Sequence, residues 1–131
     1  MLTTKADKWF SIWIRLRDCD ENRIGQCCTC GKYVDVKFAD CGHFIKRQHQ
    51  ATRFNEINGN LQCKKCNAFE QGRNEDYERF LINKYGEDKV NLLKAAARTT
   101  SKRTKNDLEY LAVYFKQKAT ELARAKGIEI W

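Results

Sequence analysis

Four of the seven cysteines fall into two C-x-x-C pairs, Cys27 with Cys30 in "CCTC" and Cys63 with Cys66 in "CKKC". A two-residue spacer lets both sulfurs of a pair face one tetrahedral ion, so these four thiolates read as a structural zinc site. Four protein ligands leave no open position for water, and such an ion holds a fold rather than doing chemistry. The competing reading is a thioredoxin-like dithiol, which needs only one pair and a βαβ surround that this pattern lacks. Cys28 lies inside the first pair and offers a C-x-C alternative to Cys27. Cys19 and Cys41 are left over as packed free thiols.

His43 is one of two histidines, in the stretch "ADCGHFIKR". It could be a metal ligand, a buried hydrogen-bonding group, or a base acting on something anionic. An imidazole with an ordinary pKa of ~6.5 is largely neutral at pH 7 and can accept a proton there. Ordinary zinc ribbons place about 15 to 20 residues between their cysteine pairs. Here 32 residues separate Cys30 from Cys63, which leaves room for an insert containing His43. A strand, a histidine at its end, a loop, and a helix begun by the second pair would make a ββα unit clamped at both ends, with Asn67 directly after Cys66. The other histidine, His49, reads as surface loop.

The elements that must position these groups are legible from periodicity. Trp9, Ile12, Trp13 and Leu16 recur at helical spacing, so residues from about Thr4 to Asp18 read as an amphipathic helix whose stripe faces a core. Asn22 and Gly25 break that period. Val34, Val36 and Phe38 alternate with Asp35 and Lys37, the pattern of a half-buried strand. Residues 46 to 60 have no sustained period and read as a long loop ending near Asn58-Gly59-Asn60. Tyr77, Phe80, Leu81 and Tyr85 mark a helix stopped by Gly86, and "EDKVNLLKAAA" restarts behind it. After the basic linker "TTSKRTK", a stripe from Leu108 through Leu111, Ala112, Phe115, Ala119 and Leu122 to Ala123 predicts a long helix ending near Gly127.

With 131 residues and 15.4 kDa, the chain fits one domain with a modest core. We divide it at the linker, into residues 1–98 as the zinc-stabilised part and 99–131 as linker and terminal helix belonging to the same domain. Lys and Arg number 25 against 17 Asp and Glu, for a net charge of +8 and a pI near 9.2. That balance is the footprint of a polyanion binder and argues for nucleic acid as partner. Residues 98–126 alone carry eight Lys/Arg and three Asp/Glu, a basic face that is either solvated or set against DNA phosphates. No apolar run of 18 residues occurs and the first ten residues lack a signal-peptide core, so a soluble, cytoplasmic, disulfide-free protein is expected.

The order of these elements resembles the zinc-containing HNH, or His-Me finger, nucleases. More narrowly, "CCTCGKYVDVKFADCGHFIKR", "RFNEINGNLQCKKCN" and "DYERFLINKYGEDKV" resemble the phage NinG/Rap recombination endonuclease family, over about residues 9 to 95. The resemblance implies an α+β fold: a zinc-clamped ββα-metal core with an N-terminal helix and a mostly helical C-terminal half. It implies His43 as general base, Asn58 as the residue bracing the loop, and Asn67 as ligand of a catalytic Mg²⁺ or Mn²⁺. Many HNH nucleases carry a second ligand just before the base, where this chain has Gly42; Asp40 could reach the ion instead. Arg53 could hold the scissile phosphate, with Lys46, Arg47, Lys64, Lys65 and Arg73 as further phosphate contacts. The implied activity is hydrolysis of DNA phosphodiesters in branched recombination intermediates, Holliday junctions or D-loops, in a phage-infected bacterial cell alongside other phage recombination proteins. Paired cuts would suit a homodimer, with the C-terminal stripe as interface. The rival readings are a zinc-organised DNA-binding module without catalysis, and a structural protein whose C-terminal helix is a partner surface.

Overall fold

The computed structural model describes residues 3–131. Its first element, α1 (Lys5–Arg17), is begun by a reciprocal cap: Thr4 Oγ1 accepts from the Asp7 N–H at 3.2 Å and Asp7 accepts from the Thr4 N–H at 2.8 Å. Ile12, Trp13 and Leu16 of the predicted stripe are buried and Trp9 packs at its margin. Phe10 and Ile14 are buried as well, because α1 is covered from more than one side.

Two short antiparallel hairpins follow. The first pairs β1 (Ile24–Gln26) with β2 (Tyr33–Asp35), and its turn carries the first cysteine pair. Gly31 closes that turn at φ 78°, where a glycine carries no steric penalty. The second pairs β3 (Ala39–His43) with β4 (Gly59–Cys63) in the register Asp40 opposite Gln62 and His43 opposite Gly59. Residues 44–58 form the connection. The continuous strand expected through Val34, Val36 and Phe38 is broken: Val36–Phe38 is a turn of 3₁₀ helix and Phe38 is 66% exposed. The cause is local, since the Asp35 carboxylate accepts from the Lys37 N–H at 2.8 Å and turns the chain before β3 begins.

After β4 a five-residue π-helical turn (Lys65–Phe69) leads to α2 (Asn74–Tyr85) and α3 (Glu87–Ala97). Gly86, at φ 92°, separates the two helices. They enclose a small second core of Phe44, Tyr77, Leu81, Val90 and Leu93. The last helix, α4 (Lys105–Lys126), begins at a Thr104–Asp107 capping box and stops at Gly127, φ 67°.

The stripe of α4 is not available to a partner. Ala112, Phe115, Ala119 and Ala123 are buried in the main core with Phe10, Trp13 and Leu16 of α1, and Leu108, Leu111 and Leu122 pack against it. Phe115 lies 5.0 Å from the Phe10 ring, near edge-on. The expectation that this stripe supplies a dimer interface is therefore corrected: α1 covers it, because two amphipathic helices of one chain meet at high effective concentration. The fold is a mixed arrangement of helices and two small sheets around a four-cysteine cluster.

Candidate active site and cysteine cluster

The sulfurs of Cys27, Cys30, Cys63 and Cys66 all lie within 4.8 Å of one another, with Cys30 and Cys63 at 3.8 Å. A tetrahedral ion with Zn–S bonds of about 2.3 Å requires sulfur–sulfur edges of about 3.8 Å. The donors are the turn after β1, the last residue of β4 and the π-helical turn, so one ion would tie together segments far apart in sequence. Burial opposes ionisation of Cys27, but N–H groups of Cys30, Cys63 and Thr29 and the Thr29 hydroxyl outweigh it and bring the thiol down to about 6. Burial, joined by the neighbouring Cys27 thiolate, pushes Cys63 up to about 12. Such a set cannot carry four negative charges unaided; a divalent cation is what makes four thiolates compatible. The cluster could hold a structural zinc. Cys28 is no part of it: its side chain packs in the second core near Tyr77, and burial pushes its thiol well above the ordinary range. Cys19 is buried, and burial raises the Cys41 thiol to about 12, so both favour the neutral thiol.

His43 ends β3 and is half-buried. Its Nε2 lies 3.0 Å from the Arg53 carbonyl oxygen. A carbonyl can only accept, so Nε2 carries the proton and Nδ1 keeps its lone pair. Burial is the main reason its pKa falls to about 4; the Arg53 carbonyl and Asp7 oppose the fall, and Arg47 and Arg53 add to it. The ring is neutral at pH 7 and packs 5.8 Å from Phe10. Opposite it, Gly59 admits that packing, since a Cβ there would lie 2.9 Å from the Phe10 ring.

The loop after His43 is held from within. Asn58 is fully buried; its Oδ1 accepts from the Ile45 N–H at 2.8 Å and its Nδ2 donates to the carbonyls of Ile45 (2.9 Å) and Thr52 (3.1 Å). Tyr77, reaching from α2, donates to the Gly42 carbonyl at 2.7 Å and accepts from Asn60 Nδ2 at 3.2 Å. These bonds fix the strand end and both ends of the loop, so His43 sits on a braced frame.

Asp40 and Asn67 meet at the cleft that His43 also lines. Asn67 Nδ2 donates to Asp40 Oδ2 at 3.0 Å, which assigns the amide nitrogen to the carboxylate and keeps Oδ1 out of that bond. The π-helical turn allows this, sending Cys66 into the cysteine cluster and the next residue, Asn67, to Asp40. Asp40, His43 and Asn67 line one cleft of about 830 Å³. Its walls bear Lys8 and Arg15 from α1 and Lys46 and Arg47 from the loop. The result is a basic groove with two oxygen donors and a neutral imidazole. One amide oxygen and one carboxylate suit a hard cation such as Mg²⁺ or Mn²⁺ that keeps most of its waters.

The family model described as bacteriophage lambda NinG protein matches residues 2–125. The chain belongs to the NinG family. No curated protein and no solved structure matches it.

Within this NinG-family chain the other candidate residues are dispersed. Arg53 is corrected as a phosphate clamp: it is 4% exposed and its guanidinium is paired in two places with Asp7, at 2.9 and 2.6 Å. Lys46 and Arg47 face the cleft. Lys64 pairs with Asp40 at 2.7 Å, beside it. Lys65 pairs with Glu70, and Arg73 with Glu70 and Asp76 while reaching 4.0 Å from Cys66 Sγ, so Arg73 serves the cysteine cluster rather than the groove. His49 is an exposed loop residue. Gly42 carries no ligating side chain, and a Cβ there would run into the buried Gln62 side chain. Sequence reasoning missed Asp7, Lys8 and Arg15, because nothing local says that α1 walls the cleft.

Proposed function

We propose that this NinG-family chain is a metal-dependent DNA endonuclease of HNH type, acting on branched recombination intermediates such as Holliday junctions and D-loops in the cytoplasm of a phage-infected bacterium. The observation that carries the reading is the hydrogen bond from His43 Nε2 to the Arg53 carbonyl, in a cleft shared with Asp40 and Asn67. It leaves a neutral imidazole with its Nδ1 lone pair free to act.

In this reading the DNA backbone lies along the groove with its phosphates between the α1 cations Lys8 and Arg15 and the loop cations Lys46 and Arg47. His43 Nδ1 takes a proton from a water whose oxygen attacks phosphorus, and the bond from phosphorus to the 3′ oxygen breaks. Asn67 Oδ1 and Asp40 would hold the divalent cation. When bound, that cation offsets negative charge on the phosphate and the departing oxygen. Asn58 and Tyr77 keep the His43 strand end from moving as the charge shifts.

The test is incubation of the purified, zinc-loaded protein with a four-way junction, a linear duplex and a single strand, each with Mg²⁺ or EDTA, mapping the cuts. His43→Ala should abolish cutting while leaving junction affinity within about threefold. Binding without metal-dependent cuts would overturn the enzyme in favour of a DNA-binding module. Absence of salt-sensitive binding would favour a structural protein, because neutralising phosphates must make affinity fall with ionic strength.

A further inference from the structure

Asp7 and Arg53 are buried charges, 7% and 4% exposed, that meet from positions 46 residues apart. Arg53 Nε donates to Asp7 Oδ1 at 2.9 Å and Nη2 to Oδ2 at 2.6 Å, a bidentate pair. The same Arg53 presents its backbone oxygen to His43 Nε2 at 3.0 Å. One residue is thus anchored to α1 by its side chain while its carbonyl decides which imidazole nitrogen carries the proton. Phe10, nearly one helical turn beyond Asp7, packs on the His43 ring and edge-on against Phe54, each at 5.8 Å. Helix α1 therefore holds both the histidine and the loop segment that hydrogen-bonds it.

We propose that the Asp7–Arg53 pair is a positioning device that fixes His43 as the Nε2–H tautomer with Nδ1 turned to the cleft. The proposal rests on the reading of His43 as the base. A buried guanidinium stripped of its counter-ion is strongly unfavourable, so removing the Asp7 charge drives residue 53 toward water and draws its carbonyl off the imidazole. Asp7 faces the ring from α1, and Arg47 and Arg53 face it from the loop. Lys8, Arg15, Lys46 and Asp40 share the cleft. Misplacing a reacting group by about 1 Å can cost about 100-fold in rate.

The experiment compares the zinc-loaded full chain with Asp7→Asn and Arg53→Lys by ¹⁵N imidazole NMR, thermal melting and junction-cleavage kinetics. For Asp7→Asn the His43 spectrum should lose its single Nε2–H tautomer and kcat should fall about 100-fold, with KM within about twofold. Arg53→Lys keeps the charge with fewer donors and should fall between. A purely structural pair would lower the melting temperature and leave the tautomer and kcat of the folded fraction unchanged, which overturns the proposal. Should Asp7→Asn not fold, Arg53→Lys decides by the same readouts. A shifted tautomer in a protein that cuts no DNA would uphold the pair and defeat the nuclease reading.

Discussion

Asn67 gives an amide proton to Asp40 across 3.0 Å, joining the residue that follows the second cysteine pair to the strand that leads to His43. Because the amide nitrogen is committed to the carboxylate, the oxygen of Asn67 takes no part in that bond. Asn67→Ala removes that oxygen and should nearly abolish metal-dependent cleavage. Asp40→Asn keeps the size but loses the charge that orients the amide and helps hold the cation, and should weaken metal affinity about 10- to 100-fold. Titration of cleavage rate against Mn²⁺ concentration checks both, and an unchanged titration for Asn67→Ala would remove it as a ligand.

His43 also makes stability depend on pH. Its pKa is about 4 when folded and ~6.5 when unfolded, so between these values the unfolded chain binds more protons. The contribution is fully present above the unfolded value and is lost as pH falls toward about 4. Its ceiling is about 3 kcal/mol from the size of the shift. Thiolate protonation would also release zinc in acid, so the comparison is with His43→Gln under the same zinc concentration. The wild type should lose more stability than the variant between pH 6.5 and 4.5 in urea melts; equal losses would show that burial of His43 costs its charged form nothing.

Zinc should be required for folding. Chelation should collapse the melting transition, since the β1–β2 turn and the end of β4 have little apolar contact to replace the ion. Cys30→Ser should reproduce the chelated state. Cys28→Ser should keep full zinc content by mass spectrometry, because that thiol packs in the second core outside the cluster.

Lys126 provides a test of the α1–α4 contact that is independent of DNA. Its ammonium donates to the carbonyls of Leu16 and Cys19, 2.6 Å each, where α1 ends and leaves acceptors unmet. A cation there also complements the helix dipole. Lys126→Met keeps the aliphatic stem and should destabilise by about 1–2 kcal/mol in denaturant unfolding, with zinc content unchanged.

Much of the fold was readable from local pattern. The helices at α1, α2, α3 and α4 and the stops at Gly86 and Gly127 follow from period and backbone preference within a few residues. Cysteine spacing was equally local, because two residues between sulfurs fixes their reach. Where the pattern failed, at Val36 and Phe38, a side chain of Asp35 competed with the strand in a way periodicity does not register.

By itself the sequence determined which groups exist to do chemistry: four thiolates at metal spacing, a histidine between them, and an asparagine after the last. Only the tertiary structure decided that Arg53 turns inward to Asp7, that the α4 stripe is covered by α1, and that Lys8 and Arg15 wall the cleft. The physical reason is range. Hydrogen-bond capping and periodicity act over a few residues, whereas a buried charge or an apolar stripe finds its partner wherever the chain can exclude water, at separations that a linear reading does not contain.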